Sequence, residues 1–166
     1  ISLSKSRLDI VLSDTVPPDT SSAPVNYLVR VKPVDIPDTG VTLHLPNDTL
    51  QMSAYLGKAK IADGEFDLAR ERYSVGSLRL TDGKLNYDNV FQPQLKGFDC
   101  NHVALSDIRL SIDSILYCNP DARLKIVECS MKEKSGIVLS SLSGGVSLDS
   151  VKVSLPRMTL TTPDSN

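Results

Sequence analysis

The chain has 166 residues and a mass of 18.0 kDa, the size of one domain. Leu, Val and Ile occupy 46 of the 166 positions, which excludes the low-hydrophobicity regime of disordered chains. The net charge of -2, from 18 basic and 20 acidic residues spread evenly, excludes a basic surface for nucleic acid and a polybasic membrane anchor.

Aspartate supplies 16 of the 20 acidic residues, and Asp forms turns where Glu forms helices. The composition is that of a turn-rich β protein. The opening stretch, Ile1 to Leu12, alternates without a basic n-region, an apolar h-region or a cleavage site, and is read as part of a longer protein. Ser13 to Pro24, with three prolines, has little to bury and reads as a mobile loop or linker. Period-2 alternation, the mark of a strand with one dry and one wet face, then runs through Val41/Leu43/Leu45 and Leu50/Met52/Ala54/Leu56. It continues at Leu78/Leu80, Leu85/Tyr87, Ile108/Leu110/Ile112, Leu124/Ile126, Ile137/Leu139, Val146/Leu148, Val151/Val153/Leu155 and Met158/Leu160. Phe66 to Tyr73 is the best helix candidate, but it lacks a cap, and Phe66 and Leu68 also fit a strand.

Turn chemistry is expected at Pro46-Asn47-Asp48, Asp63-Gly64, Asp82-Gly83, Asn119-Pro120-Asp121, Ser135-Gly136 and Gly144-Gly145. Asp-Gly between alternating runs is a hairpin signal because Gly accepts positive φ without strain. An antiparallel meander follows. Ser106 to Ile112 and Asp149 to Leu155 form a weak internal repeat, as in sheets that grow by repetition.

Residues for chemistry are sparse. Cys100, Cys118 and Cys129 match no metal spacing or disulfide framework and read as small half-buried hydrophobes. A turn at Asn119-Pro120-Asp121 puts Cys118 opposite a residue near Arg123, a register that argues against a Cys118–Cys129 bridge. His44 and His102 read as solvated surface imidazoles, with no nucleophile motif beside them. The aspartates form no calcium loop and read as turn formers. No catalytic residue, metal site or cofactor is predicted. The aliphatic strand faces either pack together as a closed β-sandwich or line a groove in one curled sheet, and periodicity does not separate the two.

The segment Gly97-Phe-Asp-Cys-Asn-His-Val-Ala-Leu-Ser-Asp-Ile-Arg-Leu-Ser-Ile-Asp113 resembles the F-D-P-N-H-[IL]-x-L-x-D-I-N-L-x-[IL]-D segment of TamB-like translocation and assembly module proteins, the AsmA/TamB family. Leu45 to Gly57 (LPNDTLQMSAYLG), Leu78 to Asp88 (LRLTDGKLNYD), Met131 to Ile137 (MKEKSGI) and Met158 to Ser165 (MTLTTPDS) are similar to further segments of that family, in its order. Cys100 stands where the family commonly has Pro. The resemblance implies a periplasmic, non-enzymatic segment of a larger protein held in the inner membrane by an N-terminal helix outside this chain. It implies an all-β fold, an extended antiparallel sheet curled into a taco-like groove or half-barrel with an aliphatic inner face, in one elongated domain over residues 1–166. It also implies phospholipid transport between membranes and outer-membrane protein assembly with an Omp85-type barrel.

On this reading phospholipid acyl chains are the partner. The lipid-facing candidates are Leu43, Leu45, Met52, Leu56, Leu78, Leu80, Leu85, Tyr87, Leu110, Ile112, Leu124, Ile126, Val151, Val153, Leu155 and Leu160. Edge strands are expected to self-associate. Two rival readings are an adaptor that holds unfolded outer-membrane strands by β-augmentation and a β-sandwich spacer of a surface protein.

Overall fold

The computed structural model describes residues 5–11, 27–44 and 50–163. Ten strands are formed: β1 (Arg7–Val11), β2 (Leu28–Val31), β3 (Val34–His44), β4 (Leu50–Asp67), β5 (Arg72–Asn89), β6 (His102–Cys118), β7 (Asp121–Glu133), β8 (Val138–Leu148), β9 (Val153–Ser154) and β10 (Thr159–Thr161). Strand accounts for 73% of the described residues, which contain no helix. All ten belong to one open sheet ordered β1-β3-β4-β5-β6-β7-β8-β10, with β2 on β4 and β9 on β8. From β3 to β8 it is an antiparallel meander, and β1 adds parallel to β3. The two ends do not pair with each other among the described residues, so the sheet is unclosed.

The strands are longer than the turn signals predict. Asp63-Gly64 lies inside β4 and Asp82-Gly83 inside β5, each of which runs for 18 residues. Gly144-Gly145 lies inside β8. These are sites of irregularity within the sheet. Asp38, Asp63, Asp82, Asp107 and Ser114 hold φ of 49°, 56°, 57°, 53° and 56°. Asp tolerates this left-handed conformation better than most residues; the β3–β4 and β4–β5 ladders keep equal residue counts across these kinks, while the β5–β6 and β6–β7 registers shift as at β-bulges, which bend a strand. The kinks align from strand to strand: a Cβ on Gly57 would lie 2.7 Å from the Asp82 Cβ, and one on Gly76 would lie 2.9 Å from the Asp63 Cβ. Glycine on one strand thus makes room for aspartate on the next, and the aligned kinks let so long a sheet curl.

The turns at Asn119-Pro120 and Ser135-Gly136 are formed. The 66–73 segment is the end of β4, a four-residue turn at Leu68–Glu71 and the start of β5. The 149–155 segment is a loop and the two-residue β9, so its likeness to Ser106–Ile112 in β6 is not a structural repeat. The predicted loop at 13–24 and the turn at 46–48 lie outside the described residues.

One layer leaves no sandwich core. Ala59 and Cys129 are the only buried hydrophobic residues among those described, and no apolar side chain there is fully buried. The closed sandwich requires a second sheet across the aliphatic face, and every described strand lies in the one sheet.

Candidate functional site: an aliphatic sheet face

Residues directly opposite each other on neighbouring strands share a face, so the registers trace what each side of the sheet presents. Leu43, Met52, Tyr87 and Val103 form one cross-strand row, and Val41, Ala54, Leu85 and Leu105 the next. Beyond the first line of bulges, Ile36, Ala59, Leu80, Leu110, Cys129, Leu142 and Leu160 run across seven strands. Val34, Ile61, Leu78, Ile112, Ile126 and Gly144 follow. Past the second line, Phe66, Tyr73 and Tyr117 lie in one row, with the two tyrosine rings stacked at 5.6 Å. The opposite face carries Asp35, Lys60, Arg79, Ser111 and Glu128 in one row.

At about 3.3 Å per residue the 18-residue strands are roughly 60 Å long, and β4, β5 and β6 at about 4.8 Å spacing are roughly 14 Å wide. Their predominantly apolar side therefore has a footprint on the order of 800 Å². The side chains along it are mostly half-buried, by one another.

The structure brings Leu43, Met52, Leu56, Leu78, Leu80, Leu85, Tyr87, Leu110, Ile112, Leu124, Ile126, Val153 and Leu160 to this one face. Val151 and Leu155 stand apart: they flank the short β9 in no strand, Val151 being 92% exposed. Their alternation with Val153 is not that of one strand, because Asp149 closes a loop by accepting hydrogen bonds from the amides of Val151 and Lys152. Leu45 lies outside the described residues. Sequence reasoning missed Val34, Ile36, Ile61, Val75, Ile115 and Leu142. Their signal is present in the chain, but each bulge shifts the alternation by one residue, and the shift becomes readable only once neighbouring strands are aligned.

The charged face is held by exposed cross-strand pairs: Arg79 to Asp113 at 2.6 Å, Arg30 to Glu65 at 2.9 Å and Lys132 to Asp107 at 2.8 Å. Such pairs contribute at most about 1 kcal/mol each. The Lys132 ammonium, by hydrogen bond and charge, holds the Asp107 carboxyl below the usual range. A depression of about 600 Å³ on this side includes Asp82, Asp107, Arg109, Glu128 and Lys132 in its lining. No group of three or more His, Cys, Asp or Glu among the described residues has the arrangement to hold a metal ion.

His102 corrects the expectation of two solvated imidazoles. It is buried, with Nδ1 unpartnered 3.7 Å from the Asp88 carboxylate and 3.9 Å from that of Asp99, because the 90–101 loop folds back onto the start of β6. His44 is half-buried. Of the cysteines only Cys129 is buried, and burial pushes its thiol pKa up. Cys100, in a loop, and Cys118, next to the turn, are exposed. All three are free, and Cys118 pairs across the ladder with Asp121.

No family model, curated protein or solved structure matches this chain.

Proposed function

We propose that the chain is a non-enzymatic segment of a TamB/AsmA-like periplasmic protein whose aliphatic sheet face carries phospholipid acyl chains. One observation carries the reading: a single-layer sheet presents predominantly apolar rows on one side, interrupted by Glu133 opposite Leu105, and charge on the other, with no second layer among the described residues to cover the rows. Apolar surface left in water costs roughly 25 cal/mol per Å². An acyl chain covers it without needing hydrogen bonds from the protein. Half of a bilayer's roughly 30 Å hydrocarbon core is about 15 Å, so a chain of that reach lies along these strands with length to spare. The segments resembling the family, from Leu45 onward, span the same strands. In this reading the parent protein is anchored in the inner membrane and works with an Omp85-type barrel in outer-membrane biogenesis.

Native mass spectrometry of the purified chain is the direct test, with bound phospholipid as the expected result. Ile112→Asp, in the row between Leu78 and Ile126, should remove the lipid adducts, because an unpaired carboxylate in apolar surroundings costs several kcal/mol. Arg109→Gln on the charged face should keep them. A lipid-free wild type after gentle extraction, or adducts indifferent to Ile112→Asp, would reject the reading.

A further inference from the structure

The connection between β5 and β6, residues 90–101, exposes side chains that the acyl-chain reading does not use. Phe91 is 69% exposed, Leu95 62% and Phe98 56%, and two of the chain's three phenylalanines are here. The loop is nevertheless tied down. The Asn89 amide donates to the Asn101 carbonyl at 2.8 Å. Asp99, 3% exposed, accepts from the amides of Leu95 and Asn101 at 2.8 and 3.0 Å. The β7–β8 turn lies beside it, since the Lys134 amide donates to the Ala104 carbonyl at 3.0 Å, and there Ile137 is 51% exposed.

Charge at this end is sorted by sign. Asp99 and Glu133 are buried and spend their oxygens on backbone amides, Glu133 accepting from Ser135 at 2.6 Å. Lys96 and Lys134 are exposed, and neither has an ion-pair partner among the described residues. Asp88 is the exposed acid nearby, and it faces His102. Side chains this exposed project outward. Aromatic and aliphatic residues beside lysines, with Asp99 and Glu133 turned inward and Asp88 the one exposed acid named here, match a bilayer interface, where rings sit at headgroup level and ammonium groups meet anionic lipid.

We propose that the tip formed by Phe91, Leu95 and Phe98, with Lys96 and Lys134 beside it, docks into the interface of an anionic phospholipid bilayer. This goes beyond acyl-chain binding on the sheet and does not depend on it.

The test is co-sedimentation of the full chain with vesicles of phosphatidylcholine alone and of phosphatidylcholine with 30 mol% phosphatidylglycerol. Binding to the anionic vesicles is expected, weakened at least tenfold by Phe91→Ser with Phe98→Ser and by Lys96→Glu with Lys134→Glu, while Arg109→Gln binds as wild type; Ile112→Asp is measured beside them to read any contribution of the sheet face. The chain has no Trp, so Phe98→Trp gives a single reporter whose emission should shift to the blue on anionic vesicles. Circular dichroism verifies that each variant folds, and an unfolded double variant is replaced by Phe91→Leu with Phe98→Leu, expected to weaken binding less. Failure to bind anionic vesicles, unchanged binding by the folded tip variants, or loss of binding only with Ile112→Asp would each overturn the inference. The last result would assign the membrane contact to the sheet face.

Discussion

Aspartate is the residue on which this sheet turns, and it acts in two ways. At Asp82 it holds the left-handed backbone of a bulge, which a β-branched residue adopts only under strain. Asp82→Asn should be nearly neutral, whereas Asp82→Val should destabilise by roughly 1–2 kcal/mol, measured by urea denaturation. Gly57→Ala should cost at least as much, roughly 1–3 kcal/mol, because its Cβ would meet the Asp82 carbonyl oxygen and Cβ, both at 2.7 Å. Equal midpoints for Asp82→Asn and Asp82→Val would discard this account of the bulge.

At Asp99 the carboxylate organises a loop. Hydrogen bonds from the Leu95 and Asn101 amides hold its pKa below the usual carboxylate range. A folded-state pKa below the unfolded one means the stabilisation is complete above the unfolded value and is lost as pH falls through the folded one. Protection of the Leu95 and Asn101 amides from hydrogen exchange should therefore be constant near neutrality and fall only in acid below the ordinary carboxylate range. Asp99→Asn should lower protection near neutrality, converge with the wild type in acid and remove the acid step. An acid step that survives in Asp99→Asn would assign it to another group.

At the scale of the element, strand type and the meander are legible in the sequence, since alternation at Leu78/Leu80 or Ile108/Leu110/Ile112 depends only on neighbours in the chain. Strand length is not. Asp63-Gly64 and Asp82-Gly83 have the residues of a hairpin turn, and they favour positive φ equally well in a turn or a bulge. The spacing of the partner strand decides which forms. The aliphatic face was legible in outline for the same reason, and its continuity was hidden by the bulges. The buried His102 was hidden because a 12-residue connection that folds back leaves no periodic trace.

Edges follow a different logic. The outer side of β3 beyond β1 contains Pro37, whose carbonyl accepts from the Lys5 amide. Its ring nitrogen on the same side offers no donor to another strand. Asp35 and Asp38 add charge to that edge, as natural sheets do to prevent pairing. Edge self-association should therefore proceed through β8–β10, where β9 and β10 cover β8 with only two and three residues. Hydrogen exchange should find β5 and β6 slowest and β9 and β10 fastest. In dimers detected at high concentration, the β8 amides should gain protection. A dimer that protects β3 instead would reverse the assignment.

At the scale of the whole molecule, a sheet with no fully buried apolar side chain among the described residues draws its hydrophobic stabilisation from neighbours along a single face. A ligand that covers that face binds the folded chain and not the unfolded one, so it must raise stability by mass action. At a free concentration one hundred times Kd the gain is about 2.7 kcal/mol. For a chain of this size each kcal/mol moves Tm by about 2–4 °C, so saturating monomeric phospholipid should raise Tm by roughly 5–10 °C. Ile112→Asp separates the possibilities. On an open face the new carboxylate stays hydrated, so the lipid-free Tm should fall by no more than a few degrees while the lipid-induced rise disappears. Arg109→Gln should preserve the rise. If Ile112→Asp instead unfolds the lipid-free chain, the face is already covered in solution, and the concentration dependence of the wild-type Tm would reveal whether the cover is a second copy. If lipid leaves the wild-type Tm unchanged, acyl chains are not what the aliphatic rows accommodate.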